Sequence, residues 1–248
     1  ATQDIMYYLT WSEGFRPGLL NRPAGTSNGA GYTIPAVTDT DEVTNLEFGW
    51  KTSLMDGSLR FNGSAFMVDI SGLQSTIFDA AIVNLFFSDN AADAEIRGVE
   101  GDFVYVTAKG LMLSGAFSLL DTEITNSLVP TSDIVVGSEL AFAPGYQANI
   151  AARKEWGMSS GNTGHWQVQM SRSDESFSDI MEPNRAIQDS YNLYNARTGM
   201  SNDEWTAELY IDNLFDSRGE ISNTFIFDRE RVSIVKPRTL GFRYKKSF

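Results

Sequence analysis

Polar and apolar side chains alternate with period two through most of this chain, and only a β-sheet gives side chains that period. Ten segments carry the pattern: 4–11, 43–54, 59–74, 94–107, 111–122, 146–156, 164–173, 191–200, 204–214 and 238–248. In the first, Ile5, Tyr7, Leu9 and Trp11 share one face. In the second, Leu46, Phe48, Trp50 and Leu54 oppose Glu47, Lys51 and Ser53. The fifth sets Leu111, Leu113, Phe117 and Leu119 against Ser114 and Ser118, and the ninth sets Trp205, Ala207, Leu209 and Ile211 against Thr206, Glu208, Tyr210 and Asp212. A soluble sandwich would carry the same stripes, so alternation gives the sheet without saying what surrounds it.

The connections choose between the two. They are brief at Asp56-Gly57, at Lys109-Gly110, at 157–163 and at 201–203, and long at 12–42, 75–93, 123–145, 174–190 and 215–237. Strict alternation of short and long collects every short turn at one end of an antiparallel meander, as in an outer-membrane barrel. Greek-key sandwiches scatter their loop lengths. The expected fold is therefore all-β, an antiparallel up-and-down transmembrane β-barrel segment of about ten strands, with short periplasmic turns and long extracellular loops. Trp11, Trp156, Trp166 and Trp205 fall near expected strand ends, where interfacial girdles place tryptophan.

Composition agrees. The chain has no apolar run of about 18 residues, which excludes a transmembrane helix. A mean hydropathy of -0.21 does not argue against a membrane, because barrel strands are apolar on one face only. Nineteen Lys and Arg against 32 Asp and Glu leave a formal charge of -13 and argue against a nucleic-acid partner. The absence of cysteine rules out a disulfide framework and a thiolate metal site. Ala1 to Asp4 lead straight into a strand, without a basic segment and apolar core before it.

Catalytic chemistry is sought and not found. His165 is the only histidine. It falls just past a short turn, where it reads as a lumen or interface side chain rather than as a base at the outer rim. The acidic pairs Asp39 with Asp41 and Asp228 with Glu230 lie in charged loops, and Asp89 to Asp93 and Asp174-Glu175 lack the glycine and spacing of a calcium loop. No phosphate-binding loop or nucleophile elbow occurs. No enzyme activity, catalytic residue, metal site or cofactor is expected.

Four stretches carry a family resemblance. Ser12-Glu13-Gly14-Phe15-Arg16-Pro17-Gly18 with Asn21 follows an aromatic strand, and Ala94-Glu95-Ile96-Arg97-Gly98-Val99-Glu100 follows a long loop. Asp212-Asn213-Leu214-Phe215-Asp216 closes the penultimate strand, and Pro237-Arg238-Thr239 leads through Gly241 into the last. In this order and spacing they resemble the barrel of TonB-dependent outer-membrane receptors. Gly241, Phe242, Tyr244 and Phe248 resemble the carboxy-terminal signal read by the barrel-assembly machinery. Plugged transporters of this kind have about 22 strands. The resemblance thus implies that residues 1–248 are the C-terminal portion of the barrel, with the plug domain absent from this chain.

What the resemblance implies for function is TonB-dependent, energy-coupled uptake of a scarce nutrient of the iron-siderophore, vitamin or oligosaccharide class. The partners would be outer-membrane lipid, the assembly machinery, a small nutrient ligand, and the TonB complex through the plug region alone; the location would be the outer membrane of a Gram-negative bacterium. Candidate ligand contacts are Phe15, Arg16, Asn21 and Arg22 in the first long loop and Phe86 and Phe87 in the second. Arginine forks suit anionic groups, and aromatic faces suit sugars or planar chelates. Two other readings stand beside this one: a self-contained ten-strand barrel acting as a passive pore or adhesin, and a secreted carbohydrate-binding β-sandwich. The first test between them is whether the first strand pairs with the tenth.

Overall fold

The computed structural model describes residues 3–27, 32–79, 83–131, 133–226 and 229–246. Fourteen strands follow in chain order: β1 (Ile5–Arg16), β2 (Asp41–Leu54), β3 (Leu59–Asp79), β4 (Val83–Val106), β5 (Leu111–Ser127), β6 (Tyr146–Gly157), β7 (Thr163–Ser173), β8 (Ser176–Phe177), β9 (Ile187–Gln188), β10 (Tyr191–Ser201), β11 (Trp205–Asp212), β12 (Glu220–Ile226), β13 (Arg229–Ile234) and β14 (Thr239–Lys246). Ten of them form one sheet in the order β1-β2-β3-β4-β5-β6-β7-β10-β11-β14, each antiparallel to its neighbour. β8–β9 and β12–β13 are separate two-stranded ribbons within the connections.

All ten expected strands are present, and they make a single meander rather than two facing sheets. Among the described residues, β1 and β14 lie at the two edges and are not paired with each other. A sandwich is therefore not the architecture, and the sheet does not close on its ten strands.

Register sorts the side chains into two faces. Tyr7 pairs with Trp50, Trp50 with Gly63, Gly101 with Phe117 and Leu113 with Ala152, all on the outward face. That face keeps large apolar side chains exposed, with Leu9 at 71%, Phe242 at 65% and Leu209 at 57%. A surface of this kind needs lipid against it. The opposite face carries the row Tyr8, Gly49, Ser64, Glu100, Ser118, Gln147, Ser173 and Tyr191, one residue from each successive strand from β1 to β10.

Glycine and aromatic residues face each other across strands in seven places. Tyr8 covers Gly49, Trp50 covers Gly63, Phe66 covers Gly98, Phe117 covers Gly101, Phe103 covers Gly115, Trp156 covers Gly164 and Tyr210 covers Gly241. In every case the two are direct register partners. Ring atoms occupy the space that a Cβ would fill, which covers the glycine backbone and lets the sheet bend there.

Several segments differ from the sequence expectation. β1 continues through Arg16, with Ser12 to Arg16 paired to Asp41 to Asn45, so the motif expected to open a loop is strand. Trp11 consequently sits within β1 rather than at its end. Residues 75–79 and 83–93 are strand rather than loop: β3 and β4 run 21 and 24 residues as a long ribbon, which places Phe86 and Phe87 on β4. Roughly 9–11 residues suffice for a tilted strand to cross a bilayer, so this ribbon reaches well beyond it. It turns at a bulge where Gly72, at φ +67°, donates its N–H to Asp93 Oδ1 at 2.8 Å. The connection 215–237 contains the β12–β13 ribbon. Phe248 and Asp228 lie outside the described residues.

Beyond the long-loop end of the sheet, the connections pack a core of their own. Ile34, Ile77, Phe87, Ile124, Val129, Ile134, Leu140, Ile180 and Met181 are all buried together. They come from the β1–β2, β5–β6 and β7–β10 connections and from the outer ends of β3, β4 and β5.

Candidate ligand site

Two regions of the inward side gather polar groups. Near the short turns, His165 on β7 is buried, its Nε2 3.2 Å from Glu208 Oε2 on β11. Arg243 on β14 donates to the other carboxylate oxygen of Glu208 at 3.3 Å. Gly199 on β10 stands between, opposite both His165 and Glu208 in register. A Cβ there would meet the Ala207 carbonyl and lie 3.0 Å from the imidazole Cε1, so the glycine makes room for the ring. The histidine expected at this end of the lumen is there, held by a carboxylate.

Farther up the same wall lies a hollow of about 680 Å³ spanning β1 to β10. Its lining includes the uncharged polar residues Ser118 on β5, Gln147 and Asn149 on β6, and Ser171 and Ser173 on β7, interleaved with Phe117, Ala148 and Arg172. Lys51, Glu100 and Asp102 charge its β2–β4 side, where Asn62 donates to Asp102 at 3.3 Å and Ser64 to Glu100 at 3.4 Å. Tyr8 and Tyr191 bound it laterally.

At the rim, most of the candidate contacts are engaged by the protein itself. Arg16 donates through Nε to Asp41 Oδ2 at 2.7 Å and through its backbone N–H to Oδ1 at 2.9 Å. Its guanidinium also reaches the carbonyl of Gln74 at 3.3 Å. Asn21 donates to the carbonyls of Pro35 at 2.9 Å and Ser88 at 2.7 Å, and accepts the Ser88 N–H at 2.7 Å. Phe87 is part of the loop core. Phe86 packs on Phe78 with ring centroids 4.9 Å apart. Phe15 pairs with Glu42 on the outward face, away from the lumen, and Arg22 is exposed in the first loop. The six residues therefore do not converge on one site.

Burial and hydrogen bonding tune a few rim carboxylates and a phenol. Burial pushes the Asp41 carboxyl up, but the Arg16 side-chain and backbone hydrogen bonds outweigh it and hold the group below the ordinary carboxylate value. Burial raises the Tyr32 phenol, reinforced by its hydrogen bond to Asp89. Burial also raises Asp179, against the Met181 N–H that it accepts at 3.0 Å. Asp216, beyond β11, is lowered first by the Arg238 N–H at 2.9 Å and then by the Arg218 charge. Among the described residues, no three His, Cys, Asp or Glu stand together in a way that could hold a metal ion.

Sequence reading did not find Glu208 and Arg243 as partners of His165, or the floor of the hollow. Their one signal is the polar parity of each strand, which becomes a site only once register aligns the strands.

Comparison with known proteins places this architecture. The family model described as TonB dependent receptor-like, beta-barrel matches residues 1–214. Among solved structures, the ferric yersiniabactin uptake receptor FyuA from Yersinia pestis aligns over 100% of this chain and 35% of its own, at 17% identity and a TM-score of 0.78. The siderophore receptor PiuA from Acinetobacter baumannii aligns over 98% of this chain and 34% of its own, at 17% identity and a TM-score of 0.72. BauA, the ferric preacinetobactin receptor of the same organism, gives 98%, 34%, 19% identity and 0.68. At these identities the likeness is one of fold, and the chain spans about a third of the length of each of these receptors. The family is one of Gram-negative outer-membrane receptors and transporters, and with 214 of its residues matched this chain belongs to the TonB-dependent receptor β-barrel family.

Proposed function

We propose that these strands are the C-terminal part of the barrel of an outer-membrane receptor that imports a ferric chelate by TonB-dependent, energy-coupled uptake. The observation that carries this reading is the sheet itself: an exposed apolar face, a polar inward face, and two edge strands that do not pair with each other. Unpaired edges in a bilayer leave backbone N–H and C=O groups unsatisfied, so further strands must complete the wall. The plug and the segment that engages TonB lie on the remainder of such a receptor. The structural relatives are receptors for ferric yersiniabactin, ferric preacinetobactin and a siderophore, which favours an iron chelate over a vitamin or an oligosaccharide.

In this reading the outward band sits in the outer membrane of a Gram-negative bacterium, and Gly241, Phe242 and Tyr244, with Phe248, present the terminal strand to the assembly machinery. Arg22 and Phe86 are the rim groups we assign to ligand contact. Arg16, Asn21 and Phe87 shape the rim, and Phe15 faces the membrane side.

The test is uptake of radioactive iron by cells that lack their own siderophore receptors and express the receptor carrying this chain, with hydroxamate, catecholate and mixed chelates offered in turn. Uptake of at least one chelate that vanishes without TonB is the expected result. Uptake that persists without TonB would make the protein a passive pore, and growth only on a vitamin or an oligosaccharide would replace the substrate class.

A further inference from the structure

We infer that the outward face of β7, β10 and β11 holds one phospholipid of the periplasmic leaflet at a defined site, with an acyl chain in a groove along β10 and the phosphate at Lys154. The groove follows from the sizes of register partners. Ala196 and Thr198 on β10 are small, and they lie between Val168 and Trp166 on β7 and Ile211 and Leu209 on β11. These six residues line an outward hollow of about 370 Å³. Toward the short turns it meets a second hollow of about 390 Å³, which shares Thr198 and Leu209 with the first and lies among Trp156, Met200, Trp205, Ala207 and Phe242.

Width and polarity select the occupant. β7 and β11 flank β10, so the walls of the groove stand two strand spacings apart, about 10 Å between backbones and less between side chains. A helix of another protein, roughly 10–12 Å across with its side chains, is too wide to enter. An extended peptide would bring backbone N–H and C=O groups to a face whose own backbone is already paired within the sheet, and would leave them unsatisfied in hydrocarbon. An acyl chain is narrower and has no polar group to satisfy.

The headgroup end is marked by a charge. Lys154 on β6 is on the outward face, opposite Leu111 on β5 and Trp166 on β7, and so borders the groove wall. Among the described residues it makes no salt bridge. Its Nζ lies 3.4 Å from the place a Cβ on Gly110 would take, which brings the ammonium down to the short β4–β5 turn. Lys109 belongs to the same turn. A lipid-facing cation without a carboxylate is stable at the level of the headgroups, beside an anion, and a lipid phosphate supplies one there. The charge favours phosphatidylglycerol over phosphatidylethanolamine, whose own amine offsets its phosphate.

The test places the full receptor in phosphatidylethanolamine vesicles doped with phosphatidylglycerol bearing a diazirine in its acyl chain, and maps the adducts after irradiation by peptide mass spectrometry. Adducts should be about fivefold denser on 191–212 than on the outward strands 41–54 and 111–127. Ala196→Phe, which fills the groove, should remove that excess in receptor that keeps its heat-modifiable mobility. Lys154→Gln leaves the groove intact and should lower the phosphatidylglycerol adducts about fivefold while leaving those of a diazirine phosphatidylethanolamine within about twofold. Even labelling of the whole outward face would mean fluid annular lipid alone and would overturn the inference. Unchanged labelling of Lys154→Gln would overturn it too, by moving the headgroup elsewhere. Receptor pairs linked through a Leu209→Cys thiol, and not formed without it, would put a second copy in the place of the lipid.

Discussion

The carboxylate of Asp41, 1% exposed at the outer end of β2, accepts the backbone N–H of Arg16 at 2.9 Å and its Nε at 2.7 Å. Gln74 extends this clamp by donating to the carbonyls of Pro17 and Asp39, both at 3.1 Å. The first long loop is thereby tied at its two ends to the β3–β4 ribbon.

Acid should release that loop. The Asp41 carboxyl titrates below its ordinary value in the folded protein, so its contribution is complete above the unfolded value of about 3.9 and is lost as pH falls through the lowered one. Protection against hydrogen exchange across residues 17–40, taken relative to the intrinsic rate at each pH, should hold down to about pH 4 and fall below it. Asp41→Asn should lower that protection at neutral pH and remove its acid dependence, at a cost of about 1–3 kcal/mol to the loop.

Leu113 lies on the outward face of β5, opposite Ala152. Leu113→Arg should destabilise the barrel by about 2–4 kcal/mol if the position is at mid-bilayer. Ser114→Arg, one residue along and facing inward, should cost far less. Urea unfolding of the lipid-embedded receptor compares the two, and equal costs would mean that the faces are inverted.

At Gly115 a Cβ would lie 2.7 Å from both the Asn149 carbonyl and the Phe103 ring. Gly115→Val should therefore displace the ring and cost about 1–3 kcal/mol. Gly14→Ala, where a Cβ meets nothing within 4 Å, should stay within about 0.5 kcal/mol. Thermal unfolding followed by loss of heat-modifiable mobility reads both.

Removing the carboxylate in Glu208→Ala leaves the buried His165 ring without its acceptor and Arg243 without its ion pair, and should cost about 1–3 kcal/mol. Glu208→Gln keeps hydrogen-bonding capacity toward both and should recover part of that loss. The same unfolding assay separates them.

The legibility of this fold followed the membrane. Where one face meets lipid, alternation is forced, and the expected segment 111–122 falls inside β5, as 43–54 falls inside β2. Where strands continue past the bilayer, the constraint lapses. Ser12 to Arg16, 75–79 and 83–93 lost the stripe and read as loops, although they lie on paired strands. Phe87 looked like a ligand contact because an aromatic residue in a loop suggests recognition; it is buried because the loops have a core of their own. His165 was legible as an inward residue from its position near a turn, but Glu208 and Arg243 are adjacent to it only through the registers of β7, β10, β11 and β14.

The aromatic–glycine pairs act against an error that hydrophobic alternation cannot detect. A slip of one residue between neighbouring strands turns every side chain to the wrong face and is rejected at once. A slip of two preserves both faces, so lipid and lumen would accept it. Such a slip would set Phe117 against Val99 or Phe103 instead of Gly101, Tyr210 against Thr239 or Arg243 instead of Gly241, and Trp50 against Phe61 or Ala65 instead of Gly63. Each ring would then collide with a side chain. The seven pairs work as keys cut for one lock position, checking the assembling wall strand by strand for the even-numbered misalignment that its greasy and wet sides would both pass.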